Sequence, residues 1–167
     1  MNKPPQDEKE IRDLLYNLKV FMHDNDLYDP LIQMALIHFQ FESIHPFYDA
    51  NGRTGRILII LYLVLKGKIQ EPILYLSKYI IENKAEYYLL LKKCNNDIAN
   101  ILDFVMYMLK AVAETAQNTK NLILKINEAI LTTKKEMKND YPIFTNTKLS
   151  NIYFRIYTLK TSYLEKI

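Results

Sequence analysis

Hydrophobic residues recur at helical spacing along most of the chain, which predicts a series of amphipathic helices. The first helix follows Pro4-Pro5, and its apolar face consists of Ile11, Leu14, Leu15, Leu18, Phe21 and Met22. A second begins at Asp29-Pro30, where Asp29 caps the helix and Pro30 opens its first turn. It ends at His45-Pro46, because a residue before proline is disfavoured in the helical conformation.

A third helix is predicted from Gly52 or Arg53 to Lys66, with Gly67 as the residue that ends it. Residues 57–65 are apolar on every side, so we expect this helix to be central and buried on most sides. The sequence therefore predicts an all-α fold around a buried helix–loop–helix unit, residues 30–66.

The second half of the chain is predicted to be helical as well. Residues 70–76 form either a loop or a short extended piece, and Ser77 and Asn83 are interpreted as the caps of two short helices. Residues 98–138 carry a heptad-like apolar pattern that indicates one long helix or a helical pair. Tyr141-Pro142 ends this pattern, and a tail with its own helical pattern follows.

The length of 167 residues suits one compact domain, in which we assign residues 1–139 to the core and 140–167 to a C-terminal helical tail. The single cysteine, Cys94, argues against a disulfide framework and favours a cytoplasmic setting. The longest apolar run has nine residues, too few to span a membrane, and the N-terminus lacks the apolar segment of a signal peptide. We therefore expect no membrane association.

Positive charge is concentrated at the C-terminal end of a chain whose net charge is +3. Residues 119–167 hold nine Lys and Arg against four Asp and Glu, at helical spacing. This spacing favours a solvated helix face over a nucleic-acid site, so we expect no nucleic-acid partner.

The chemically distinctive residues lie in one short segment, residues 45–56, with the sequence HPFYDANGRTGR. It contains two of the three glycines and two of the four arginines of the chain. The predicted layout is the end of one helix, a polar loop and the start of the next. A helix N-terminus presents unpaired N–H groups and the positive end of its dipole, which together bind anions such as phosphate.

Five residues of this segment have the chemistry of a phosphate site. Gly52 lets backbone approach a ligand, and the guanidinium groups of Arg53 and Arg56 match phosphate oxygens. Asp49 supplies a hard oxygen ligand suited to Mg²⁺ held jointly with phosphates. His45 carries a ring that can accept a proton near neutral pH. The combination indicates phosphoryl or nucleotidyl transfer.

Two further residues with reactive side chains are interpreted as structural. His38 lies two helical turns before His45, but the pair lacks a third metal ligand, so a packed, hydrogen-bonded histidine is favoured. Cys94 has no histidine near it in the sequence and is interpreted as a small buried residue.

The segment resembles the signature of the Fic (Fido) domain family, HPFx(D/E)GNGRxxR. Similarity extends over about residues 4–118 and includes Pro4-Pro5, Asp29-Pro30-Leu31, His38-Phe39-Gln40-Phe41-Glu42, Tyr75-Leu76-Ser77 and Glu86-Tyr87-Tyr88. The chain is thus similar to cell filamentation proteins of the adenylyltransferase type. The resemblance implies a Fic-type helical bundle in which the central helix–loop–helix carries the motif.

The resemblance also implies a reaction, the transfer of AMP from ATP to a Ser, Thr or Tyr hydroxyl of a target protein. By the family pattern, His45 takes the proton from that hydroxyl and Asp49 holds Mg²⁺. Contacts to the phosphates and the rest of the nucleotide are then assigned to Asn51, Gly52, Arg53, Gly55, Arg56, Tyr88 and Asn95. Of these, Arg56 would reach the γ-phosphate, and Tyr88 and Asn95 would line the adenine pocket.

Ala50 departs from the family pattern, which usually has glycine there. If the position needs a positive φ, alanine strains it by about 1 kcal/mol or more. If it does not, alanine stiffens the loop at little cost. Because the rest of the motif is complete, we expect Ala50→Gly to be neutral or slightly destabilising.

In relatives, a β-hairpin flap before the position of Pro4-Pro5 aligns the target, and an autoinhibitory helix commonly lies further upstream. The sequence begins at this point, so we expect an open pocket near Arg56 that binds ATP, with transfer that is weak or partner-dependent. A regulator acting in trans is one expected partner. Many relatives continue into a winged-helix module, of which residues 140–167 would be a remnant.

Two alternatives to AMP transfer stay open at this point. One is a degenerate Fic core that binds nucleotide or a partner without modifying protein, and the other is a related phosphoryl or nucleotidyl transfer in the same pocket. The base preference and the oligomeric state are also open, a homodimer being one option.

Overall fold

The computed structural model describes residues 4–23 and 28–140, with side chains up to residue 136. This part of the chain is all-α, as the sequence predicts, and contains no strand. Its helices are α1 (Glu8–His23), α2 (Pro30–Ile44), α3 (Asn51–Leu65), α4 (Leu76–Glu82), α5 (Lys84–Asn96) and α6 (Ile101–Asp140), with a 3₁₀ turn at Ile98–Asn100 before α6.

Local sequence signals set the ends of α2 and α3 as predicted. The Asp29 carboxylate accepts a hydrogen bond from the Leu31 N–H at 2.8 Å, and Pro30 is the first helical residue. At its other end α2 stops before His45, which adopts the left-handed conformation. Gly67, with a φ of +66°, follows the end of α3, so the expected glycine stop is confirmed.

The central helix is α2 rather than α3. It packs against both α1 and α3, and its buried residues point in all directions around the helix axis: Gln33, Met34, Ala35, Ile37, His38, Phe39, Phe41 and Ile44. α3 is exposed along one row only, where Ile57, Leu61 and Leu65 are 60%, 54% and 62% exposed. Its other sides are buried, as at Ile59 and Leu63, or partly buried, as expected, but the helix is not the central one.

The region after α3 differs from the expectation at one of the two predicted caps. Residues 66–75 form turns and loop, and α4 begins at Leu76 with Tyr75 as its N-cap. Ser77 therefore lies in the first turn of α4 instead of capping it. Asn83 does occupy the N-cap position of α5, although its side chain makes no capping hydrogen bond there.

The long α6 confirms one of the two arrangements predicted for residues 98–138. Two compact units divide the chain, residues 1–119 and 120–167, and the described part of the second unit is the helical stretch 120–140. The predicted core boundary at residue 139 stays a prediction, and the predicted helical tail falls on residues 141–167, outside the described part. Among the described helices, none is long and apolar enough to cross a membrane.

Candidate active site

The loop between α2 and α3 begins and ends with residues in the left-handed conformation. His45 has φ 50° and ψ 55°, and Ala50, the N-cap of α3, has φ 68° and ψ 11°. Both carry a Cβ, so each conformation costs roughly 1–2 kcal/mol relative to a right-handed one. Of the two conformations left open for Ala50, the structure shows the positive φ, so the basis for expecting a neutral Ala50→Gly is lost. Such strain commonly accumulates at functional sites.

Asn51 fastens the loop to the start of α3 through its side chain. Its Oδ1 accepts a hydrogen bond from the Phe47 N–H at 2.9 Å, and its Nδ2 donates to the Phe47 carbonyl at 2.6 Å. The Asn51 residue is 3% exposed, so both bonds are shielded from water. This closed pair fixes the loop over the first turn of α3, where backbone N–H groups lack partners within the helix.

The two glycines of the segment leave space for different neighbouring side chains. A Cβ on Gly52 would lie 3.2 Å from Arg56 Nη1, so the space beside Gly52 is used by the arginine side chain. A Cβ on Gly55 would lie 2.6 Å from Glu42 Oε1 and 3.1 Å from Phe41 Cδ1, both on α2. Gly55 is buried and permits the close contact of α2 and α3. Its predicted phosphate contact stays a prediction.

Arg53 and Arg56 lie in different environments although they are three residues apart. Arg53 is exposed on the same row as Ile57, and its Nη2 lies 3.5 Å from Asp49 Oδ2 in an ion pair open to solvent. Arg56 is half-buried, and its Nε donates to Ser77 Oγ at 2.9 Å. Its Nη1 folds back over Gly52 at the helix N-terminus. Arg56 is therefore held in place, whereas Arg53 is free to follow a ligand.

Asp49 is the carboxylate of the loop, and its side chain is 86% exposed. In the described part of the chain, no group of three or more His, Cys, Asp or Glu could hold a metal by itself. Mg²⁺ bound with nucleotides needs only one or two protein carboxylates, because phosphates and water supply its other ligands. The donor at Asp49 fits such a shared ion and does not fit a metal cage made by protein alone.

A cavity of about 430 Å³ opens beside His45, between α1, α2 and α5. It brings together three residues assigned from the sequence, since Tyr88 and Asn95 of α5 line it with His45. Tyr88 is 56% exposed, and Asn95 Oδ1 lies 2.9 Å from Ser43 Oγ. The volume lies within the range of small-molecule sites.

A second cavity of about 360 Å³ lies between α3 and α4. Arg53, Arg56 and Ser77 line it, together with apolar residues such as Leu61 and Tyr75. Five of the predicted site residues thus line one cavity or the other, and Asp49, Asn51, Gly52 and Gly55 line neither. The residues assigned to the adenine base and to proton transfer line the first cavity, and the two arginines line the second.

A buried polar group lies under the loop and was missed by sequence reasoning. Glu42 Oε1 is buried without a hydrogen-bond partner within the described residues, and burial raises the pKa of this carboxyl while the charges of Arg56 and His45 oppose the rise. His38 is fully buried, and its Nε2 lies 2.9 Å from Tyr87 Oη. Burial, helped by the Arg56 charge, lowers the pKa of His38 to about 3. His38 is therefore a packed, neutral histidine, as predicted.

Glu42 gave a signal that the sequence analysis did not use, because it is the one acidic residue of α2 and lies three positions before His45. Ser77 gave no comparable signal, because its contact with Arg56 joins residues 21 positions apart.

Part of this chain is similar in sequence to known proteins. Residues 1–63 match the Fic/DOC family. The protein adenylyltransferase fic-1 of Caenorhabditis elegans is 35% identical over 82 residues, 49% of this chain and 15% of the relative. The protein adenylyltransferase Fic of Drosophila virilis is 32% identical over 102 residues, 61% of this chain and 18% of the relative. The chain thus spans less than a fifth of the length of these curated relatives. The predicted resemblance is confirmed, and the matched residues include the loop and most of α3.

Proposed function

We propose that the protein transfers AMP from ATP to a hydroxyl group of a Ser, Thr or Tyr residue in a target protein. The observation that carries this proposal is the placement of an exposed histidine, a helix N-terminus and a fixed arginine around one strained loop. The names of the relatives, protein adenylyltransferases, support the same chemistry.

His45 is the proposed general base. It is exposed at the mouth of the 430 Å³ cavity, so a hydroxyl group of another protein can reach its ring. The ring takes the hydroxyl proton while the oxygen bonds to the α-phosphorus and the bond from that phosphorus to the β-phosphate oxygen breaks. Pyrophosphate leaves with the electron pair. A positioned base of this kind contributes about 10²–10⁴-fold to a rate.

The N-terminus of α3 is the proposed phosphate cradle. The Asn51 side chain is used up in holding the loop, which leaves the backbone N–H groups of Asn51 and Gly52 for the phosphates. Arg56 supplies a fixed guanidinium close to this turn, and Arg53 supplies a mobile one that must leave Asp49 to reach a ligand. The exposed Asp49–Arg53 pair is worth little, so its separation opposes binding only weakly.

Asp49 is the proposed protein ligand of a Mg²⁺ ion shared with the phosphates. The ion would neutralise charge on the phosphates during transfer. The Asp49 carboxylate is paired with Arg53, so Asp49 would give up this partner for the ion and Arg53 would give it up for a phosphate.

The 430 Å³ cavity is the proposed pocket for the adenine base and the sugar of the nucleotide. Tyr88 offers an exposed aromatic ring and Asn95 offers an amide. The amide oxygen accepts a hydrogen bond from Ser43 Oγ. A nucleotide that extends from Tyr88 past His45 to the start of α3 places its terminal phosphates toward Arg56. This orientation agrees with the positions of the site residues, because Tyr88 and Asn95 line the first cavity and the two arginines line the second.

The test uses the full chain and ATP labelled at the α- or at the γ-phosphate, in a lysate of the source cells. The proposal predicts protein bands labelled from α-labelled ATP and not from γ-labelled ATP. Labelling from the γ position instead would indicate phosphate transfer. Nucleotide binding without labelling from either position would indicate a binding module, and both results contradict AMP transfer.

A further inference from the structure

Arg56 is held by α4 as well as by its own helix. Its Nε donates a hydrogen bond of 2.9 Å to Ser77 Oγ, and its Nη1 lies against Gly52, four residues back along α3. The remaining guanidinium edge is therefore brought to the first turn of α3, where backbone N–H groups are unpaired. Without a partner at Nε, an arginine side chain of this length samples many rotamers.

Ser77 is itself fixed by the packing of α4. Leu76, Tyr79 and Ile80 are 1%, 7% and 4% exposed, so this short helix is anchored in the core by the residues around Ser77. Ser77 and Arg56 also line the same cavity of about 360 Å³. The hydroxyl is thus a rigid acceptor, and it is carried by an element that is separate in sequence from the motif.

We propose that Ser77 is a positioning residue, whose hydroxyl holds the Arg56 guanidinium at the N-terminus of α3 in the orientation that receives the terminal phosphates of the nucleotide. This inference rests on the proposed function for the identity of the ligand. It assigns to α4 a part in nucleotide recognition that the motif does not contain. Ser77 does not touch the reacting atoms and acts only through Arg56.

The hydroxyl matters most for ligands that reach Arg56. A hydrogen bond to a charged group contributes enough to change affinity by roughly tenfold or more. Ser77→Ala should therefore weaken ATP binding about tenfold and leave AMP binding nearly unchanged, because AMP has no terminal phosphate. Ser77→Thr keeps the hydroxyl and should restore most of the affinity for ATP.

The experiment is calorimetric titration of ATP and AMP into wild-type protein, Ser77→Ala, Ser77→Thr, Arg56→Ala and the Ser77→Ala/Arg56→Ala double variant. Lys78→Ala is the matched control, since Lys78 lies on the same helix and its ammonium makes an exposed pair with Glu82, at 3.9 Å. Circular dichroism verifies that each variant is folded. The proposal predicts that Ser77→Ala has no further effect once Arg56 is removed.

Three results would overturn the role of Ser77. They are an unchanged ATP affinity in Ser77→Ala, an equal loss for ATP and AMP, or a full additional loss in the Arg56→Ala background. Failure of the proposed function looks different. A wild-type protein that binds ATP in a Ser77-dependent manner and transfers no AMP keeps the positioning role and contradicts the enzyme. A wild-type protein that binds no ATP contradicts both.

Discussion

Ala50 shows how one backbone angle decides what a substitution does. With a φ of 68°, the residue lies where alanine is strained and glycine is not. The same conformation occurs at Gly67, whose φ is +66° and whose missing Cβ would meet nothing within 4 Å. The two positions therefore form a matched pair, with a non-glycine residue at one and glycine at the other.

Ala50→Gly is expected to raise the free energy of unfolding by up to about 1 kcal/mol, because release of left-handed strain exceeds the added entropy of the unfolded chain. Gly67→Ala should lower it by a similar amount. Urea denaturation of the two variants and the wild type measures both changes. A loss of stability in Ala50→Gly would contradict the claim that the backbone of Ala50 is strained.

Sequence reasoning at the residue scale worked where chemistry is local. The roles of Asp29 and Gly67 as cap and stop are confirmed, because each depends on its own neighbours in the chain. The angle at Ala50 could not be predicted, since the motif permits both conformations until the loop is built. The Arg56–Ser77 bond could not be predicted either, because α4 is placed by its buried apolar residues and not by the motif.

At the scale of elements, the helices are well predicted and their relative burial is not. Proline and glycine positions mark the ends of α2 and α3, so both were expected nearly where they lie. The apolar run in α3 indicated a central helix, yet α2 takes that place with buried polar residues, Gln33 and His38. Hydrophobicity alone could not show this, because buried polar side chains depend on partners from other helices.

The contact of α2 with α3 depends on Gly55. In Gly55→Ala the new methyl group would lie 2.6 Å from Glu42 Oε1 and 3.1 Å from Phe41 Cδ1. We expect the free energy of unfolding to fall by about 1–3 kcal/mol, as for other overpacked cores. Thermal and urea denaturation measure the change.

Gly52→Ala is the matched control on the same helix. Its methyl group would meet Arg56 Nη1, the end of a side chain, at 3.2 Å. A small shift of that end relieves the contact, so stability should change little while ATP affinity falls because the guanidinium is displaced. Equal stability losses in the two alanine variants would show that Gly55 is not a special packing position.

For the whole molecule, the burial of His38 predicts that the folded protein loses stability in acid. Its pKa is lowered to about 3 in the folded state, whereas the unfolded chain titrates near 6.5. Between these values the unfolded state binds the extra proton, so the free energy of unfolding falls as pH falls, by up to about 1.4 kcal/mol per pH unit. Above pH 6.5 the histidine is neutral in both states and has no such effect.

Glu42 acts in the opposite direction from about pH 4.5 upward, which overlaps the range of His38. Burial raises the pKa of its carboxyl above 4.5, so the folded state takes up this proton first and gains stability as pH falls toward 4.5. Comparison of variants separates the two groups. His38→Gln should flatten the pH dependence between 6.5 and 3, and Glu42→Gln should remove the opposing change above pH 4.5. Identical pH profiles for His38→Gln and the wild type would contradict the buried neutral histidine.

The central claim is that His45 accepts the proton of the target hydroxyl while other groups hold the nucleotide. The most direct measurement is AMP transfer from α-labelled ATP by His45→Ala, with ATP affinity measured on the same preparation and His23→Ala as the control. We predict a loss of transfer of about 10²–10⁴-fold with ATP affinity within a few-fold of the wild type, and full transfer in His23→Ala. Transfer at the wild-type rate in His45→Ala would contradict the mechanism.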